Sequence, residues 1–290
     1  MANAITLAKQ FVPILDEVYK NASLTAVLDG ASELARQGAN ANELIIPKLD
    51  MQGLGDYSRN DGYVKGDVTL TNETVQCGYD RGRMFTVDSV DDQETAGIAF
   101  GRLAGEFIRT KVVPEEDAYR FARYCAVPGI SKASEAALSD GAGAVAALRA
   151  GTAKMDEDEV FADNRYLFIT PTILGMIEDM DTTKSREVMK SFAGVIKVPQ
   201  SRFYTAIDLK KGKDGEEIGG YAKAPGGKKI NFMIVQKDAV IQFTKHVAPK
   251  IVDPNANQDA DAWKFGYRKV GIADAYENKV AGIYLHHAAE

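Results

Sequence analysis

Cysteine occurs twice in the 290 residues, histidine three times and tryptophan once. Cys77 and Cys125 lie far apart and form no C-x-x-C pair, so they build neither a disulfide framework nor a zinc module; a reducing compartment is the natural setting. His246 falls between Lys245 and Val247 in an extended pattern and reads as an outward strand residue. His286 and His287 are neighbours near the end of the sequence and read as solvated. No second cluster supplies metal-ligand spacing, so no metal site is expected. No apolar run approaches the ~18 residues of a membrane span. The first ten residues lack the basic and apolar regions of a signal peptide. A basic excess is missing too: 35 Lys and Arg stand against 41 Asp and Glu, a net charge of −6. That balance argues against a surface built to neutralise phosphates, while leaving room for a local basic patch. The expectation is a soluble chain made in the cytosol, with no membrane partner.

Catalytic motifs are equally scarce. A G-x-S-x-G elbow is absent. Gly141-Ala142-Gly143-Ala144-Val145-Ala146 satisfies a loose dinucleotide pattern, but that pattern has meaning only between a strand and a helix start. Residues 131–139 read as helical, which makes the match accidental. Pro225-Gly226-Gly227-Lys228-Lys229 resembles a phosphate loop, except that Ala222 stands where the first glycine belongs. Asp156-Glu157-Asp158-Glu159 reads as a solvated helix start. Neither a catalytic residue nor a cofactor is expected, and the chain does not read as an enzyme.

What is present is ordinary globular composition, 45% hydrophobic and 26% charged, in a length that allows one large or two small domains. Ile14, Leu15, Val18 and Tyr19, then Leu24, Val27 and Leu28, predict two short amphipathic helices. Across residues 44–86 the period changes to two: Val64, Val68 and Leu70 share one face, and Lys65, Asp67, Thr69, Thr71 and Glu73 the other. Gly53 to Gly62 is polar and glycine-rich and reads as a tip. Taken as one hairpin of roughly 40 residues, each arm reaches ~60 Å at ~3.3 Å per residue. Such a ribbon cannot bury both faces on its own domain.

Acidic helix-start signals at residues 88–94 open a helix to about Lys111 in which Gly97, Gly101 and Gly105 recur every four residues. Glycine in a helix costs about 1 kcal/mol relative to alanine, so the spacing suggests close backbone approach. Pro114, with Glu115, Glu116 and Asp117 in the first turn, predicts a second helix burying Ala118, Phe121, Ala122 and Cys125. Cys125 is then a small core residue. Helix is also expected over 134–150 and 171–180, and strands over 166–170, 192–198, 203–207, 230–235, 239–243, 246–252, 263–270 and 280–285. Residues 210–229 read as a glycine- and lysine-rich loop, and 254–262 as the turn of a second long hairpin.

The order of these segments, together with Tyr79-Asp80-Arg81-Gly82-Arg83-Met84-Phe85-Thr86-Val87-Asp88, Val113-Pro114-Glu115-Glu116-Asp117-Ala118-Tyr119-Arg120-Phe121, Asn164-Arg165-Tyr166-Leu167-Phe168-Ile169-Thr170-Pro171 and Val195-Ile196-Lys197-Val198-Pro199, resembles the major capsid proteins of tailed bacteriophages. The resemblance covers nearly the whole chain. It implies an α+β, HK97-type fold: an N-terminal arm (1–43), an extended E-loop (44–86), a P-domain with the spine helix (87–127 and 239–269) and an A-domain (128–238 and 270–290). It further implies a structural subunit that self-assembles into hexamers and pentamers of an icosahedral shell around double-stranded DNA, without sequence-specific binding. Inter-subunit contacts would fall on the E-loop tip (Leu54, Tyr57, Arg59, Tyr63, Lys65) and on the spine helix (Gly97, Gly101, Gly105).

The partners so implied are further copies of the chain, a separate scaffolding protein and a portal. The location would be the virion, after assembly in the host cytoplasm. Lys48 and Lys65 lie in the loop from which some members form isopeptide crosslinks, but no motif nominates a partner residue and crosslinking is not expected. An encapsulin-like protein compartment shares the fold and is the near alternative; an acidic α/β hydrolase or binding protein is the distant one.

Overall fold

The computed structural model describes residues 23–30, 36–37, 43–60, 62–90, 98–133 and 137–289. The helix expected over residues 14–19 lies outside them. Residues 24–28 hold a short 3-10 turn, Ala26–Leu28, with Leu28 fully buried. Strands β1 (Arg36–Gln37), β2 (Glu43–Met51) and β3 (Val68–Gln76) make an antiparallel sheet in that order. The expected 40-residue hairpin is therefore shorter. β4 (Tyr79–Asp88) leaves at Cys77-Gly78 and joins a different sheet. Gly78 permits that departure, because a Cβ there would lie 2.6 Å from the Tyr119 hydroxyl.

Next come α1 (Ile98–Phe107), a π-helical turn (Ile108–Val112) and α2 (Val113–Ala126). The two expected helices are one rod. Phe107 and Val113, which flank the wide turn, both keep right-handed helical dihedrals. Pro114 has no N–H and its ring crowds the preceding carbonyl; a widened π turn just before it absorbs that misfit without breaking the helix. At 1.5 Å per residue the rod is about 43 Å long.

The chain continues through β5 (Ser131–Lys132), α3 (Gly141–Glu157), β6 (Arg165–Ile169), α4 (Pro171–Glu178), α5 (Thr183–Lys190), β7 (Gly194–Lys197), β8 (Ile207–Leu209) and β9 (Tyr221–Lys223). It ends with β10 (Ile230–Gln236), β11 (Val240–Val252), β12 (Ala262–Ala275) and β13 (Ile283–His287). The two strands expected over 239–252 are the single β11, kinked by an irregularity between Thr244 and His246.

The main sheet has the order β5-β13-β10-β6-β7. Its central strands β10 and β6 carry the apolar runs 232–235 and 167–169, because both faces are covered. Phe232 and Ile234 of β10, with Leu167 and Ile169 of β6, pack under Leu148, Met155, Leu174 and Ile177 of α3 and α4. Met233, Val235 and Phe168 point the other way, to Phe121, Tyr124 and Cys125 of α2. Cys125 is the core residue expected, its thiol pushed up by burial. A second sheet, β11-β12-β4, carries Phe265 and Tyr267 against Ala104, Ile108, Val112 and Val113 of the long rod.

Three expectations are corrected. Residues 131–139 are not helical where described: Ser131 and Lys132 form β5, 137–139 hold no helix, and Asp140, whose carboxylate accepts from Gly143 N–H at 2.7 Å, caps α3. The Gly141 position answers to packing, since a Cβ there would sit 2.2 Å from the Met176 carbonyl oxygen of α4. Asp156 to Glu159 close a helix rather than open one: Asp156 pairs with Arg165 at 2.7 Å, and Asp158 with Lys154. His286 is buried and stacks on Phe232 at 4.9 Å, and burial lowers its pKa; the ring stabilises the apolar edge of β10 and β13 instead of facing water. His246 is exposed, as expected.

Candidate assembly surface

The hairpin of β2 and β3 has a fastened base and a free far end. At the base, Ile46 and Val75 pack with Cys77, Ile241, Val270 and Ile272. Lys48 Nζ reaches Glu277 at 2.8 Å, a bond that raises the lysine pKa. Residues Ile46, Lys48 and Val75 share one face, because Leu44 pairs with Val75, Ile46 with Glu73 and Lys48 with Thr71.

The opposite face carries the cross-strand pairs Leu49–Leu70 and Met51–Val68. These four side chains are 52 to 68% exposed. An apolar stripe thus lies on the side of the hairpin turned away from its own body. Beyond it, Gly62 at φ +80° closes a tight bridge with Ser58. That turn brings the Tyr57 and Tyr63 rings to 4.9 Å. Leu54, Tyr57, Arg59, Tyr63 and Lys65 are all exposed, so the predicted tip residues stand together at one extremity.

The predicted glycines fare differently. Gly97 lies outside the described residues. Gly101 and Gly105 sit in α1, and a Cβ on Gly105 would meet nothing within 4 Å. At Gly105, therefore, no backbone of the described chain makes the close approach that the spacing suggested.

The residues that sequence reasoning missed are in α2. Glu115, Glu116 and Asp117 open α2 as expected, but α2 continues the rod rather than starting a separate helix, and all three are buried. Successive helix positions are about 100° apart, so the three fan out to three neighbours. Glu115 takes Arg81 of β4 at 2.7 Å. Glu116 takes Lys269 of β12 at 2.7 Å and Arg120 at 2.8 Å. Asp117 accepts from the Ser23 hydroxyl at 2.9 Å, the Thr25 hydroxyl at 2.8 Å, the Leu24 and Thr25 N–H groups, and Arg202 at 3.2 Å.

Gln242 of β11 donates to the Thr25 carbonyl and the Asp29 carboxylate, each at 2.7 Å, and accepts from the Tyr124 hydroxyl. The rod is therefore the hub that fixes the N-terminal segment and β4, β11 and β12. Burial pushes the Asp117 carboxyl up against the opposing pull of its donors, and lowers Lys269 to about 8. Two sequence signals pointed here: a Glu116–Arg120 pair at i,i+4 beside apolar positions, and Lys269 on the strand face it shares with Trp263, Phe265 and Tyr267.

No protein-family profile and no curated protein matches the sequence. Solved structures do. A chain of Gordonia phage Cozz is 13% identical, with 92% of this chain and 87% of that one covered and a TM-score of 0.60. The virus-like particle from Pyrococcus furiosus is 12% identical over 94% and 95% of the two chains, with a TM-score of 0.58. The capsid of Myoviridae phage XM1 is 12% identical over 92% of each, with a TM-score of 0.56. At these identities the likeness concerns the fold, and it spans nearly the whole chain: this protein has the HK97-type α+β fold.

Proposed function

We propose that the chain is the structural subunit of a tailed-phage capsid, assembling with copies of itself into hexamers and pentamers of a closed shell around double-stranded DNA. The observation that carries this reading, beside the fold, is the exposed stripe of Leu49, Leu70, Met51 and Val68 on a hairpin face that its own body does not cover. Covering each half-exposed side chain contributes on the order of 1 kcal/mol. That is weak for one contact, but a shell repeats it many times and gains by multivalency.

In this reading residues 1–43 form the N-terminal arm, 44–86 the E-loop, 87–127 and 239–269 the P-domain, and 128–238 and 270–290 the A-domain. A separate scaffolding protein and a portal complete assembly in the host cytoplasm, and the finished location is the virion. The role is mechanical, not enzymatic. Negative-stain microscopy of the purified protein, alone and with the phage's scaffold, tests it: capsomers, tubes or shells are expected. A monodisperse monomer across wide ranges of concentration and salt would refute the reading.

A further inference from the structure

Phe161 is 79% exposed at the end of α3, on a loop held unusually firmly. Glu159 at φ +57° and Asn164 at φ +59° are non-glycine residues in the left-handed region, on either side of it. Such positions persist only when the surroundings over-determine them. Here the buried Arg165 side chain donates to the Phe161 carbonyl at 2.9 Å and to the Val160 carbonyl, and also pairs with Asp156. The result is a preorganised apolar knob. Around it Glu157, Glu159 and Asp163 are exposed carboxylates.

Elsewhere on the chain is a surface of opposite character. A cleft of about 770 Å³ opens between β4, the long rod and the loop that joins β8 to β9. Its floor includes Phe85, Leu103 and Phe107, all partly exposed, with Phe85 edge-on to Phe107 at 4.8 Å. A further ring can join such a group edge-to-face. Its rim is basic, with Arg83, Lys111, Lys210 and Lys211. Arg83 donates only to the neutral carbonyls of Glu217 and Ile218, so its charge is not cancelled by those bonds. Of the nearby acids, Glu106 pairs with Arg109 and Glu115 with Arg81; Glu216 and Glu217 accept from the neutral Lys211 and Gly215 N–H groups and so offset part of the rim, which stays net positive with Arg83, Lys111, Lys210 and Lys211 against these two.

We infer that the Phe161 knob of one copy seats in the basic-rimmed aromatic cleft of a second copy. The hairpin tip is another exposed apolar element, but its charges nearly cancel (Asp56, Asp61 and Asp67 against Arg59 and Lys65), whereas the knob offers carboxylates to a cationic rim. The two surfaces differ, so the contact is head-to-tail, the kind that closes into rings when the rotation allows. It rests on the capsid reading for its second copy and deepens it by naming one of the interfaces.

Three variants of the full chain test it. Phe161→Ser should lower the assembled fraction by about tenfold or more while leaving circular dichroism unchanged, as loss of a buried aromatic anchor does. Glu157→Lys with Asp163→Lys should do the same, and so should Lys210→Glu with Lys211→Glu; combining all four reversals in one chain should restore assembly. Ala162→Cys, beside the intact knob, with Ile218→Cys at the cleft's lip should give disulfide-linked multimers under mild oxidation, since both native cysteines are buried. Wild-type assembly of Phe161→Ser, or folded charge variants that the combined reversal fails to rescue, would overturn the inference and leave the capsid reading intact. A wild-type chain that never assembles would overturn that reading instead. In that event an absence of crosslinks at high concentration would remove the knob contact as well.

Discussion

Thr25 Oγ1 donates to Asp117 Oδ1 at 2.8 Å, joining residues 92 positions apart in a site that water does not reach. The N-terminal segment is thus pinned to the middle of the long helix through polar groups as well as through Leu28, which is buried in the same core cluster as Phe121 and Tyr124. Buried polar clamps of this kind add little net stability when intact, yet are costly to break from one side. Asp117→Ala should lower the free energy of unfolding by about 3–5 kcal/mol, because two hydroxyls, two N–H groups and Arg202 lose their acceptor. Asp117→Asn keeps one acceptor oxygen and should cost less, about 1–2 kcal/mol. Denaturant unfolding of both variants checks the order; equal midpoints would show that the clamp is not holding.

Two glycines separate packing from propensity. Gly141→Ala places a methyl 2.2 Å from the Met176 carbonyl oxygen, so α3 and α4 must part. It should destabilise by about 1–3 kcal/mol. Gly105→Ala meets nothing within the described chain and should stabilise the isolated subunit by up to about 1 kcal/mol through helix propensity. If the glycine face of α1 receives a neighbouring subunit, Gly105→Leu should then assemble poorly despite normal folding. Full assembly of Gly105→Leu would make the glycine spacing incidental.

Lys269 gives a pH signature. Burial lowers its pKa from 10.5 to about 8, so between those values the unfolded chain holds a proton that the folded chain has released. Stability must rise with pH wherever the unfolded state binds more protons. The contribution from Lys269 is absent below about pH 8 and grows up to roughly pH 10.4, the free lysine value. The buried thiol and phenols, raised by burial, pull the opposite way at alkaline pH. Lys269→Met isolates the lysine: subtracting its stability profile from that of the wild type should leave a positive slope across that window. A flat difference would mean that Lys269 keeps its charge when buried.

Where a segment's pattern was dictated by its immediate surroundings, the sequence was legible. β6, α4, β7, β10 and β12 fall close to where apolar runs and Pro171 placed them. α5 was missed because its stability comes from a Thr182–Ser185 capping box and two buried positions, Ser185 and Val188, too few for a periodic signal. The continuity of α1 and α2 was missed for a related reason. Acidic residues after a proline look the same whether they start a helix or lie within one, and only the π turn at Ile108–Val112 makes the second case possible. The hairpin tip was legible because glycines and polar residues interrupt a period of two. The split between β3 and β4 was not, since strand alternation resumes after Gly78 with no break in composition.

The hairpin tip gives the sharpest test of assembly. Within the tip, Ser58 and Gly62 exchange backbone bonds, and Asn60 N–H donates to the Ser58 hydroxyl. The tip side chains are exposed, and the apolar contacts that anchor the hairpin begin only at Ile46 and Val75. Deleting residues 55–65 and joining the arms with a two-residue turn should therefore leave the subunit folded, with unchanged circular dichroism and an unfolding midpoint within about 0.5 kcal/mol of wild type, as exposed loop tips allow. Shells should nevertheless fail to form, or should dissociate in mild denaturant, because the deletion removes Tyr57, Tyr63 and Val64 from the end of the apolar stripe. Size-exclusion chromatography with light scattering and microscopy reads both outcomes on one preparation. A deletion variant that forms shells of wild-type yield and denaturant resistance would show that this hairpin does not reach a neighbour.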